Sequence, residues 1–137
     1  MIYNLVAYLN NQFPAELFYT QIRQQLATQE FIPDRNVLVR DTGGEEASYF
    51  KYGNETMQII TRNQSAPGAK RLGQQIYEIL HGRFGLVLPA VNIDGENYPE
   101  VQIPEIRGLQ LPTSIGTDEE KRPEFSFNIQ IYRVREG

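Results

Sequence analysis

The chain predicts an α+β fold, a mostly antiparallel sheet with helices packed on one face and a long C-terminal β-hairpin. Three observations carry this. Phe125, Phe127, Ile129, Ile131 and Arg133 alternate with Ser126, Asn128, Gln130, Tyr132 and Val134, the period of two that marks a half-buried antiparallel strand. Ala69, Leu72, Gly73, Ile76 and Leu80 fall instead at helical spacing. The remaining extended stretches follow one another without regular helical crossovers, which favours an antiparallel sheet over a βαβ arrangement. With 137 residues, the chain is read as a single domain over 1–137.

The elements follow in order. Ile2, Leu5, Val6, Leu9 and Phe13 form a helical stripe, with Asn4, Asn10, Asn11 and Gln12 on the other faces, and Pro14 ends the helix. Residues 15–32 are open to two readings: a second helix with Phe18, Ile22 and Leu26 on one stripe, or an extended piece confined to Leu17–Thr20. Pro33-Asp34-Arg35 reads as a turn, Asn36 to Arg40 as a strand, and Asp41-Thr42-Gly43-Gly44 as a further turn. Two extended segments are expected around Gly53-Asn54, and the adjacent Ile59-Ile60 predicts burial on both faces near the sheet centre.

Residues 65–82 give the clearest helix. Ser65 suits the N-cap, where its oxygen accepts from an unpaired backbone N–H, and Pro67 sits in the first turn, where no donor is needed. His81-Gly82 reads as the C-terminal signal, a potential cation at the negative dipole end and then a residue tolerant of positive φ. Ala69 and Gly73 are small enough to let this helix approach a sheet closely. Residues 83–104 read as a connector with short extended pieces and an Asp94-Gly95 turn, and 105–114 and 123–134 as the two strands of the closing hairpin.

Composition narrows the functions. The net charge of −4 and the 13 scattered basic residues do not supply the clustered Lys and Arg of a non-specific nucleic-acid binder. Cysteine is absent, which excludes disulfides, thiol chemistry and thiolate zinc sites and fits a cytosolic protein. The opening MIYNLVAYLNNQF has no basic n-region and no unbroken apolar run, so it is not read as a signal peptide, and no apolar run approaches a membrane span.

No catalytic, cofactor-binding or metal-binding residues are assigned. The single His81 stands at a helix end without a nucleophile motif beside it, so the capping role is preferred to general-base work. The acidic groups Glu45-Glu46, Asp94/Glu96 and Asp118-Glu119-Glu120 have no spacing that selects an acid/base pair, and DGEN at 94–97 lacks the spacing of an EF-hand. APGAKR at 66–71 lacks the phosphate-loop pattern. Tyr49, Phe50 and Tyr52 have no basic groove beside them, and are assigned to strand packing or a protein interface.

The hairpin tip, with Asp118, Glu119, Glu120, Lys121 and Arg122 in succession, has two readings. Its charges discourage edge-to-edge aggregation, or the hairpin is an arm that projects to a neighbouring subunit with the mixed charges setting register. These five residues and Tyr49, Phe50 and Tyr52 are the candidate subunit or partner interface.

The spacing of VLVRDTGG, MQIITRN, APGAKRLGQQIYEIL and IGTDEEKRPEFSFNIQIYRV resembles that of the small tail terminator and minor capsid (tail completion) proteins of long-tailed bacteriophages, as a pattern over roughly residues 1–135. The most telling positions are Arg62-Asn63, a strand end leading directly into a helix, and Gly116, Asp118, Glu119, Arg122, Phe125, Ser126, Asn128 and Ile131 at the entry to the last strand. The segment 83–104 departs from the pattern and has two readings, a family-specific loop facing the tube or the connector, or the mark of a related head–tail joining or tube-like protein. The resemblance implies a virion structural protein without active site or cofactor, assembled in the host cytoplasm at the head-proximal end of the tail. Its implied partners are itself, as a ring of typically six copies, the tail tube protein and the head–tail connector protein, with DNA only as passing cargo and no membrane. A related head–tail joining protein, a monomeric adaptor and a carboxylate enzyme using Asp94 and Asp118 are the alternatives.

Overall fold

A computed structural model describes residues 2–16, 18–20, 36–45, 52–93, 95–119 and 121–134. Among these, helix α1 (Ile2–Gln12) is followed by strands β1 (Phe18–Thr20), β2 (Asn36–Glu45) and β3 (Tyr52–Arg62), helix α2 (Ala66–Leu80), and strands β4 (Arg83–Leu88), β5 (Val91–Ile93), β6 (Glu96–Tyr98), β7 (Val101–Gly108), β8 (Thr113–Thr117) and β9 (Pro123–Val134). The main sheet runs β1-β2-β3-β9-β7-β4, with β8 paired to β9 beyond the end of β7, and β5 and β6 form a separate small hairpin. The pairings are antiparallel except between β1 and β2. The α+β architecture with its C-terminal hairpin is therefore present.

One face of the sheet makes the core. Val37, Val39, Met57, Ile59, Phe127, Ile129 and Ile131 project from β2, β3 and β9 into a cluster with Leu5 and Leu9 of α1 and Leu72, Ile76 and Leu80 of α2. Ile60 on the opposite face is also buried, as the doubled isoleucine predicts. α1 packs on β1 and β2 and also on β4. Those strands lie at opposite ends of the sheet order, about 24 Å apart in a flat sheet. α1, 11 residues and about 16 Å long, thus contacts strands from both ends of the sheet order.

Several expectations need correction. Asp41-Thr42-Gly43-Gly44 is not a turn, since β2 runs on to Glu45 through a bulge at Thr42. The Thr42 hydroxyl bonds that of Thr56 at 2.7 Å, a cross-strand contact that holds the ladder together past the glycines. Gly53-Asn54 is likewise strand, paired with Arg133 and Tyr132 in β9. The connector 83–104 contributes a full sheet strand, β4, and the β5–β6 hairpin around Gly95, whose φ of +84° suits glycine. Of the two readings of 15–32, the described residues show the extended one, as β1 at Phe18–Thr20, while 21–35, including the Pro33-Asp34-Arg35 turn, lie outside the described residues.

Asn4 is not on a solvent face. It is buried, and its Nδ2 donates to the carbonyls of Pro89 (2.9 Å), Pro99 (3.0 Å) and Tyr98 (3.3 Å). These carbonyls lie at the base of the β5–β6 hairpin, so the buried amide ties the helix to it. His81 stands at the helix end, as expected, and its ring makes further contacts. Its Nδ1 accepts from the Gly108 N–H at 2.9 Å and its ring stacks on Tyr77. His81 is the C-cap of α2, its backbone N–H donating to Tyr77 O, and its ring also caps the edge of β7. Ser65 caps α2 as expected, accepting from Gly68 N–H at 3.2 Å.

Candidate assembly surface

The hairpin tip is built from the turn between β8 and β9. Lys121 N–H donates to Asp118 O (2.9 Å) and Asp118 N–H to Arg122 O (3.1 Å). Lys121 takes a φ of +63°, a left-handed conformation that closes this tight turn. The Asp118 carboxylate then accepts from the Arg122 backbone N–H at 2.9 Å and from Arg122 Nε at 2.7 Å.

This turn does not stand free of the body. Arg62, the last residue of β3, places Nε 2.5 Å from Glu124 Oε2 and 3.7 Å from Asp118 Oδ2. Its guanidinium also donates to Asn36 Oδ1 at 3.2 Å. Arg62 and Glu124 are direct ladder partners on the face opposite the helices. The side chains of Arg62, Asp118, Arg122 and Glu124 are only 11–13% exposed, and two cations meet two carboxylates. The network fastens the tip to the sheet end.

The strand leading from the tip is no projecting arm. β9 is the interior strand of the sheet, with β3 on one side and β7 and β8 on the other. The first hairpin strand is broken between Gly108 and Thr113, where Pro112 turns in and becomes buried against Gly73 of α2. The candidate residues thus separate. Asp118 and Arg122 are structural ties, and Glu119 and Lys121 are exposed. Tyr52 opens β3 opposite Val134. Glu120, Tyr49 and Phe50 lie outside the described residues.

Sequence reasoning missed five exposed apolar side chains, Phe84, Val87, Leu109, Leu111 and Ile115. They lie on or beside β4 and β8, each of which, like β1 at the other end of the sheet, is paired on one side only among the described residues. A weak signal was present: in RFGLVL the buried Leu86 and Leu88 bracket Val87, which must then point outward.

Among the described residues, the acidic groups do not converge. The β5–β6 turn follows the end of β4 near Val101, whereas Asp118 lies at the opposite end of the strands and is ion-paired. Among the described residues no three His, Asp or Glu side chains stand close enough to hold a metal ion.

The described residues thus combine a hairpin tip pinned to the sheet with exposed apolar side chains on and beside the edge strands. The profile of the bacteriophage tail terminator protein family matches residues 26–135, and the chain belongs to that family. It is accordingly a tail-completion component of a phage virion. No curated relative matches the sequence.

Proposed function

We propose that this chain is a ring-forming tail terminator, which caps the tail tube at its head-proximal end, stops polymerisation of the tube subunit and offers its other surface to the head–tail connector. The observation that carries the reading is the family match over 26–135, most of the chain. The ring consists of copies of this chain, six by the family resemblance, with DNA as passing cargo. The exposed Glu119 and Lys121 at a tip held rigid by Arg62 and Asp118 are contact residues of this assembly, together with Glu120, Tyr49, Phe50 and Tyr52. Mixed charges at such a contact set register and partner choice more than affinity.

The acidic balance of the chain suits a channel through which DNA passes without adhering. The carboxylate-enzyme alternative needs Asp118 to be available, whereas its carboxylate pairs with Arg62 and Arg122. Native mass measurement with negative-stain imaging tests the reading. A closed ring with a central hole, free or on tube ends, is expected. A chain that neither closes nor binds tube ends contradicts it.

A further inference from the structure

Val37 and Val39 of β2 supply the core, so Arg40, next along the strand, lies on the sheet face away from the two helices. Register places it in a row with Gln58 of β3 and Asn128 of β9. All three are half-buried. Arg40 Nη1 donates to Gln58 Oε1 at 3.2 Å, whereas its Nε is buried and has no hydrogen-bond partner among the described residues. The other arginines of this face are matched by acids. Arg62 meets Glu124 and Asp118, and Arg107 meets Glu105 at 3.2 Å. Arg40 has no such carboxylate among the described residues. A buried donor left without an acceptor costs stability, and more so on a charged group, so packing gives no reason for an arginine here.

We propose that Arg40 is the anchor for a carboxylate, an Asp or Glu side chain of a partner protein that docks on this sheet face. A guanidinium grips a carboxylate through two parallel N–H donors. Nη1, on the side of the head nearer Cδ, is held by Gln58. The opposite edge, Nε with Nη2, is the pair that a carboxylate bridges side-on. The bond to Gln58 fixes the plane of the head, so less freedom is lost when the acid arrives. Arg40 as a whole is only half-buried, which leaves part of it within reach of a partner. Asn128 in the same row and Gln130 in the next, both half-buried, supply neutral donors and acceptors around the contact.

Charge selects a single carboxylate over a polyanion. Glu105 and Glu124 stand on the same face, in the rows of Tyr132 and Arg62, and would repel a run of phosphates. A nucleic-acid backbone needs clustered Lys and Arg, whereas one uncompensated guanidinium among amides fits one acid. The site does not depend on the ring reading, since one partner chain fills it.

The test is nuclear magnetic resonance of the full chain carrying isotope-labelled arginine, in which the Arg40 Nε–H signal is the one lost in Arg40→Lys. N-acetylglutamate N-methylamide, which carries one carboxylate, is titrated at constant ionic strength, with sodium phosphate and a short single-stranded oligonucleotide for comparison. The carboxylate is expected to move the Arg40 signal saturably, in the millimolar range of one partly screened pair, and to leave that of Arg62 in place. Gln58→Leu should weaken this binding about fivefold, the worth of one hydrogen bond. Urea unfolding supplies a second readout. Arg40→Met should leave the midpoint unchanged or raise it, because it removes a charge without a counter-ion among the described residues, whereas loss of a structural arginine lowers it, as expected of Arg62→Ala. A signal that does not move, one that moves further with phosphate or oligonucleotide, or a fall in midpoint for Arg40→Met like that of Arg62→Ala overturns the proposal. A signal that shifts with protein concentration alone gives the contact to a second copy and overturns it too.

Discussion

Arg62 Nε lies 2.5 Å from Glu124 Oε2, its direct partner across the β3–β9 ladder, and the same guanidinium reaches Asp118 in the hairpin tip. Arg62→Ala would leave two largely buried carboxylates without this cation. A cost of about 2–4 kcal/mol in urea unfolding is expected, near the range for breaking a buried pair. Arg62→Met with Glu124→Leu should cost less than Arg62→Ala alone, because no charge is then stranded at that pair.

Asn4 joins α1 to the base of the β5–β6 hairpin through three carbonyls. Asn4→Leu removes the donor to those oxygens, at about 1–3 kcal/mol. Asn4→Asp should be worse than Asn4→Ala, since it sets a carboxylate against carbonyl oxygens. Thermal unfolding of the three variants gives the order.

Gly73 allows α2 to meet both Thr61 and Pro112. A Cβ there would stand 3.2 Å from Pro112 Cβ and 3.4 Å from Thr61 Oγ1. Alanine gains about 1 kcal/mol of helix propensity against this crowding, so Gly73→Ala should be close to neutral. Gly73→Leu has no such room and should lose about 1–3 kcal/mol by overpacking. Denaturation midpoints separate the two.

Gly108 faces the ring of Tyr77, which packs edge-on against Phe127 and stacks on His81. A Cβ at 108 would overlap the Tyr77 ring. Gly108→Ala should therefore destabilise by about 1–3 kcal/mol. Part of that loss should return when Tyr77→Ala is added, which a double-mutant cycle measures.

At the tip, Glu119→Lys with Lys121→Glu should leave stability within about 0.5 kcal/mol, as expected for exposed positions, while weakening assembly or tube binding. Deleting residues 116–123 is a poorer probe. It removes Asp118 and Arg122, which hold the tip to Arg62, so a lost assembly would not be separable from a damaged fold. Pelleting of the variant with tube ends, beside its unfolding curve, checks the expectation.

Where periodicity and local chemistry coincide, the fold was legible in the sequence. The α2 stripe, its Ser65 cap and the alternation of β9 are set by neighbours a few residues away, and all appear as expected. The failures have a common cause in partners distant along the chain. Glycines 43, 44 and 53 signal turns locally, but ladder pairing to β3 and β9 keeps them extended. Asn4 looks like a surface residue until carbonyls more than 80 positions away approach it. The charged tip was legible as a feature, whereas its division into tied and exposed residues depends on Arg62, which no local pattern links to Asp118. The apolar edge was hidden because Phe84 and Leu111 sit in stretches whose strand neighbours cannot be read in sequence order.

The most direct test of the tail terminator account is tube length. Purified tail tube protein should be polymerised with and without this chain, and the tubes measured by electron microscopy. The account predicts a ring at one end of each tube and no further growth when fresh tube subunits are added. Tubes that continue to elongate with bare ends, at concentrations where the chain is in excess, would contradict it.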